Sequence, residues 1–305
     1  MKKYCFIFAL IVYMFCVFSE CGYAYWVWSP KTKKWINPVY RTFDNPQEQL
    51  DWAKGYYEDG EYRKAIFEFK KVLARFPKTE YAPEAKYHIA LCEEKLGKFW
   101  RAFKTYESII KFYPLNERLD AIVERQYLIG EKYFSKKKYE LAKRIFEKVI
   151  NNSPYSKVSD VAQYKLGICY LRMRDYNNAR DEFQKIHDDY AFSPYLDQAV
   201  YEIAFCSFKV SSLVRDYDVR LIDKAADDLQ YFLRRFPTNK YVPQAESLLN
   251  KLVHLRAKKI YEAGQFYEKQ KKIYAAVRYY EEVLYSYEAT PWGQRAREKL
   301  KKLRK

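Results

Sequence analysis

GEYRKAIFEFKKVLARFP (60–77), GKFWRAFKTYESIIKFYP (97–114) and KKYELAKRIFEKVINNSP (137–154) are three versions of one phrase: aromatic, two residues, Ala, three residues, aromatic, seven residues, Pro. The phrase returns as Tyr176, Ala179 and Phe183, then Ile222, Ala225, Leu229 and Pro237, and last as Ile273, Ala276 and Tyr280. Twelve residues before each of these alanines except the fifth stands another small residue: Ala53, Ala90, Gly130, Gly167 and Gly264. In the fifth copy the partner is Ala204, and the spacing grows from 12 to 21, which places nine extra residues around SSLVRDYDVR (211–220). A small residue on one helix and an alanine on the next let two backbones approach in an antiparallel hairpin, and large aromatics fill the remaining space. Proline then closes the second helix, because it cannot extend the hydrogen-bond ladder and pushes its predecessor away from helical angles.

With 8 glycines and 11 prolines in 305 residues, and abundant Lys, Glu, Leu and Ala, the chain is mostly helix. The spacing predicts helix pairs over 47–75, 80–113, 118–152, 157–190, 194–236 and 240–287, with a closing helix at 292–303. One such pair cannot bury its apolar stripe alone, so the pairs must stack. The expected fold is all-α, a helical-hairpin solenoid of six pairs plus a C-terminal helix. Leu166-Gly167 with Tyr170, Ile129-Gly130 with Tyr133, and the Ala, aromatic and Pro of the second helices give the chain its likeness: over about 47–290 it resembles the tetratricopeptide repeat family. It departs from that pattern at Ala191 and Glu288, where proline is expected, at Glu93 and Ser207, where tyrosine is expected, and in the long fifth unit.

Three residues before each small residue the chain has Leu50, Tyr87, Tyr127, Tyr164, Tyr201 and Tyr261. In repeats of this type that position faces an inner groove, so the resemblance implies a partner-binding wall that also includes Tyr57. Tyrosine suits such a wall, with a large apolar face and a hydroxyl for extended backbone. The competing reading is that these rings pack neighbouring first helices together.

At the N-terminus Lys2 and Lys3 lead into an apolar run from Tyr4 to Phe18, too short to span a bilayer as a helix and suited to a secretory signal peptide. Gly22-Tyr23-Ala24 supplies the small residues for cleavage, which divides the chain into a leader (1–24), a tryptophan-rich segment (25–45) and the repeat domain (46–305). Cys21 is a candidate lipidation site instead, although Phe18-Ser19-Glu20 is a poor box for it. In the tryptophan-rich segment Trp26, Val27 and Trp28 alternate like a strand, Ser29 to Lys33 offer a turn, and Trp35 and Ile36 restart an apolar run. A small hairpin is expected there, covering the open end of the first repeat, stacking on glycan or lipid headgroups, or serving as a flexible tether.

The formal net charge of +17 attracts anionic lipid or acidic protein, and export argues against nucleic acid. Without a long Lys/Arg tract, the charge reads as diffuse. Cys92, Cys169 and Cys206 occupy one repeated slot and read as buried thiols rather than disulfide partners. No catalytic residue, metal site, cofactor or small-molecule substrate is expected. His88, His187 and His254 lie in different units, the acid pairs Asp188-Asp189 and Asp227-Asp228 read as solvated faces, and no hydrolase, metalloprotease or phosphate-loop motif occurs.

Two junctions, Phe76-Pro77-Lys78-Thr79-Glu80-Tyr81 and Phe236-Pro237-Thr238-Asn239-Lys240-Tyr241, the lengthened penultimate unit and LLNKLVHLRAKKIYEAGQFYEKQKKIYAAVRYYEEVL (248–284) carry a narrower likeness. In these the chain resembles the BamD family of outer-membrane β-barrel assembly lipoproteins. The resemblance implies a non-catalytic periplasmic scaffold associated with the outer membrane. It would bind unfolded outer-membrane proteins through the groove and dock the barrel-inserting subunit through the last pair, at Arg278 and Tyr279. The alternative is another cell-envelope scaffold, one that coordinates peptidoglycan synthesis or polysaccharide export.

Overall fold

The computed structural model describes the backbone of residues 27–29 and 34–36, together with residues 42–213 and 219–303. The leader, the Cys21 site and the centre of the fifth-unit insertion lie outside the described residues. Among these residues the chain is thirteen helices and one short β-ribbon, the helical-hairpin solenoid of the tetratricopeptide class. The helices are α1 (Pro46–Glu58), α2 (Tyr62–Arg75), α3 (Tyr81–Lys95), α4 (Phe99–Phe112), α5 (Leu119–Ser135), α6 (Tyr139–Asn152) and α7 (Ser159–Arg172). They continue as α8 (Tyr176–Asp189), α9 (Leu196–Leu213), α10 (Val219–Arg235), α11 (Val242–Lys269), α12 (Ile273–Ser286) and α13 (Pro291–Leu303). The strands β1 (Val27–Ser29) and β2 (Lys34–Ile36) pair antiparallel, with Trp28 opposite Trp35. The chain forms two compact units, residues 1–105 and 106–305, the division falling within α4.

In the first unit α1 starts where Asn45 caps it, accepting a hydrogen bond from the Gln47 amide at 2.9 Å, with Pro46 at the first turn where a missing N–H costs nothing. Successive helices α1, α2 and α3 pack together over a core that includes Leu50, Ala53, Phe69, Val72 and Ile89. In the second unit each helix from α5 to α13 packs on its successor. Phe183 and Ile186 meet Ile203 and Cys206 in one core, Leu229 and Phe232 meet Leu252 in the next, and Tyr280 meets Ile260 and Leu300 in the last. The 28-residue α11 enters two of these cores, through Leu252 in its first half and Ile260 in its second. The fifth-unit insertion is absorbed partly by length: α9 runs 18 residues and α10 17, against 14 in each of α7 and α8.

The small residues are seated against rings rather than against the paired alanines. A Cβ built on Gly130 would lie 2.6 Å from the Phe146 ring, one on Gly167 2.6 Å from Phe183, and one on Gly264 2.8 Å from Tyr280. Each ring belongs to the residue four after the repeated alanine, one turn along the same face. Glycine therefore buys the ring its place, at a helix-propensity cost of about 1 kcal/mol relative to alanine.

The turn inside each described hairpin is one structure repeated. Its apex is left-handed, with φ of 76° at Gly60, 73° at Gly97, 58° at Lys137, 63° at Arg174 and 60° at Lys271. The amide after each apex reaches back to the first helix, as in Lys98 N to Glu93 O and Asp175 N to Tyr170 O. The apex amide does likewise one residue on, the double closure that ends a helix through a left-handed residue. The junctions between hairpins are equally uniform. Thr79, Asn116, Ser156, Ser193, Asn239 and Thr290 each donate a backbone hydrogen bond to the residue three before, and each accepts one from the residue three after.

Candidate functional site

The structure divides the tyrosine series. Leu50, Tyr201 and Tyr261 are buried, at 2%, 9% and 5% exposure, which corrects the expectation that they line an open groove. Tyr201 lies flat on Tyr241 at 4.5 Å and meets Phe232 at 5.5 Å, and Tyr261 sits between Tyr280 at 5.2 Å and Trp292 at 5.5 Å. Each ring is thus clamped between its own second helix and the start of the next hairpin, as the packing reading required. Tyr57, Tyr87, Tyr127 and Tyr164 keep part of their surface. Tyr57 and Tyr87 flank His88, which stacks on Phe69 at 5.2 Å. In the second unit Tyr127 meets Phe146, while Tyr164 stacks on Tyr195 at 5.0 Å and points its hydroxyl at Gln198.

Beside this face lies Glu202, which enters no hydrogen bond or ion pair among the described residues. Burial pushes its carboxyl up to about 7, against a smaller downward pull from Arg172. Burial likewise raises the thiols of Cys92, Cys169 and Cys206 to about 12, and all three are free. Such thiols are packing groups, because the reactive form is the thiolate. Among the described residues no three His, Cys, Asp or Glu side chains come together as a metal site. His187 is held by Asp188 at 2.9 Å and by the Tyr231 hydroxyl at 3.2 Å, and His254 is exposed.

The two departures from repeat tyrosine are compensated locally. The Glu93 carboxylate accepts from Thr105 at 2.8 Å and pairs with Arg101, and Ser207 donates to Asp228 at 2.6 Å. Asp228 is therefore an interhelical acceptor rather than a solvated acid. Buried glutamines form a further polar layer with no counterpart in the sequence reading. Gln49 donates to Glu68 at 2.9 Å, Gln163 to Glu182 at 2.7 Å, and Gln126 to Glu107 at 2.6 Å. Asn152 joins the last of these, donating to Glu107 and Gln126. All three glutamines stand four residues before a repeat's small residue, a recurrence that could have marked them.

At the end of the chain α12 presents an aromatic face. Tyr274 and Tyr285 are 82% and 93% exposed, Arg278 is exposed between them, and Tyr279 stacks on Tyr267 at 5.3 Å. These residues, with Glu281 and Glu282, line an open groove of about 850 Å³. A second hollow, of about 730 Å³, lies on the other side of Tyr285 against Arg297 and Leu300 of α13. Leu115, Tyr155 and Phe192, large apolar residues at one repeated place in successive junctions, also stand in solvent.

The profile of the outer membrane lipoprotein family YfiO matches residues 119–303, more than half of the chain. The chain belongs to this family. A tetratricopeptide repeat profile covers residues 50–117 of this family member, so the two together span α1 to α13. Among curated proteins none matches. Solved structures similar to it include a tetratricopeptide repeat protein from Parabacteroides merdae, 14% identical over 85% of this chain and 99% of that one, with a TM-score of 0.36. Others are the C-terminal part of a repeat protein from Cytophaga hutchinsonii (16% identity, 83% and 88% covered, TM-score 0.38) and MamA from Desulfovibrio magneticus (18%, 66% and 99%, 0.35).

Proposed function

We propose that this repeat protein is a non-catalytic scaffold of outer-membrane protein assembly, exported and held at the periplasmic side of the outer membrane. The family's description as outer membrane lipoproteins supports the location. The exposed aromatic face around Arg278 on α12 is the observation that carries the role: protein-binding surfaces are enriched in Tyr and Arg, and here both stand out from a helix whose opposite side is buried. In this reading Arg278 and Tyr279, flanked by Tyr274 and Tyr285, dock the barrel-inserting subunit. Within each unit by itself the half-buried tyrosines, Tyr57 and Tyr87 in the first and Tyr127 and Tyr164 in the second, offer ring surface to an extended client chain.

The test is a pulldown from envelope extract at low salt with the wild type, Arg278→Glu and Tyr285→Ala. Both residues are exposed, so the variants keep the wild-type melting temperature. Recovery of a β-barrel insertion protein, reduced about tenfold or more by either substitution, is the expected result. Recovery of peptidoglycan or polysaccharide-export enzymes in its place would move the assignment to another envelope scaffold. The intact mass of the protein from membranes decides the anchor, since a diacylated chain starting at Cys21 and an unmodified chain starting at Tyr25 differ in both length and lipid.

A further inference from the structure

On α9 the helical period sets Gln198, Glu202, Phe205 and Lys209 along one face, and all four are half-buried. This face continues the tyrosine wall of the second unit. The Tyr164 hydroxyl of α7 reaches Gln198 at 3.4 Å, and Lys209 stands over the Phe205 ring at 5.2 Å. One turn beyond Gln198, the Glu202 carboxyl is close enough to act on Tyr164, and on Tyr201 and Cys206 of its own helix.

Glu202 departs from the way this unit treats its other acids. Glu107 holds Gln126 and Asn152, Glu182 holds Gln163, and Glu268 holds Tyr280 and Lys299. Glu202 holds no donor and enters no ion pair among the described residues. Burial raises its carboxyl to about 7, and Arg172 of α7, itself exposed, offsets only part of this. A carboxylate drawn out of water without a partner weakens the fold at neutral pH, and no contact within the folded chain compensates it. Groups that destabilise in this way mark binding surfaces, where a ligand supplies the missing partner.

We propose that Glu202 receives a cationic side chain, arginine or lysine, of the extended segment bound along this wall. The proposal rests on the reading that the wall takes an extended client chain, and it names what that chain must carry. Tyr164 on α7 and Phe205 one turn along α9 offer ring faces to the cation, and the carboxylate offers charge and a hydrogen bond. A cation selects the ionised carboxyl, which is about a tenth of the population at pH 6 and about nine tenths at pH 8, so affinity should rise about ninefold between them. The surrounding groups do not produce this change. Burial raises Tyr164, Tyr201 and Cys206, which therefore stay neutral, and Arg172 remains a cation. Asp228 of α10 is already bound by Ser207, and Tyr241 before α11 lies flat on Tyr201.

Fluorescence anisotropy of the full chain tests this, with a rhodamine-labelled nonapeptide of alternating serine and tyrosine that carries a central arginine or, in its place, neutral citrulline. The wild type is expected to bind the arginine peptide about ninefold tighter at pH 8 than at pH 6, and about tenfold tighter than the citrulline peptide at pH 8. Glu202→Gln keeps the side chain's shape and removes the buried charge, so it folds. It should bind both peptides alike, at both pH values. Tyr164→Leu reads the wall itself and should weaken both peptides. If both peptides bind and Tyr164→Leu weakens them, but arginine has no advantage or its pH dependence survives Glu202→Gln, the proposal is overturned while the wall stands. If neither peptide binds, the reading of the wall falls and the proposal with it.

Discussion

Gly167 is where the repeat geometry is most open to measurement. Replacing it with alanine brings two opposed effects. An interior helical glycine gives way to the best helix former, worth about 1 kcal/mol in favour of the folded state. Against this, the new Cβ would stand 2.6–2.8 Å from three atoms of the Phe183 ring, where carbon atoms rest at about 3.5–4.0 Å. The ring must retreat by roughly 1 Å, yet it is fully buried among Ala179, Ile186 and Ile203 with Tyr164 against its face. Overpacking of this kind costs about 1–3 kcal/mol, so the net change is a loss of up to about 2 kcal/mol. Gly55 is the control: it is also helical, but a Cβ there meets nothing within 4 Å, so Gly55→Ala should stabilise by about 1 kcal/mol. Urea unfolding followed by circular dichroism measures both. Adding Phe183→Leu to Gly167→Ala should recover part of the loss, with a coupling of about 1 kcal/mol or more. If Gly167→Ala stabilised as much as Gly55→Ala, the close seating of helix against ring would be refuted.

Glu202 makes stability depend on pH. Its folded carboxyl, raised by burial to about 7 from an ordinary value near 4.5, holds a proton that the unfolded chain has released, so stability is highest below about pH 4.5 for this group and falls as pH rises toward 7. Glu202→Gln should raise stability at pH 8 by up to about 3 kcal/mol and flatten the profile between pH 4.5 and 7, as read by thermal melts across that range. Gln126→Ala strips the buried partner from Glu107 and Asn152 and should cost about 1–3 kcal/mol in urea unfolding, with Gln126→Glu worse because it sets two carboxylates together. At Gly97, with open space around it but φ of 73°, alanine should cost about 1 kcal/mol by backbone strain alone, seen as a lower melting temperature.

Helix placement was readable because the repeat supplies its own calibration: six copies of one spacing locate the hairpins, and proline, where present, marks their ends. The fifth-unit insertion and the long last hairpin were visible as breaks in that spacing. What the glycines touch was not, since sequence distance names Ala142 and Ala179 as partners while the helical turn brings Phe146 and Phe183 over instead. Burial of Tyr201 and Tyr261 depends on Tyr241 and Trp292, which arrive only with the following hairpin. Gln49, Gln126 and Gln163 look like solvated residues on any amphipathic helix until their acidic partners are placed beside them. Lys137, Arg174 and Lys271 hid a left-handed backbone that only glycine would have announced.

α11 belongs to two cores at once, anchored by Leu252 beside α10 and by Ile260 beside α12. At about 1.5 Å per residue its 28 residues make a rod roughly 40 Å long. A force applied to the aromatic face of α12 is therefore delivered along one unbroken column of backbone hydrogen bonds into the hairpin formed by α9 and α10. Whatever binds there pulls on a strut rather than on a hinge, and the two ends of that strut should twist and tilt as one piece.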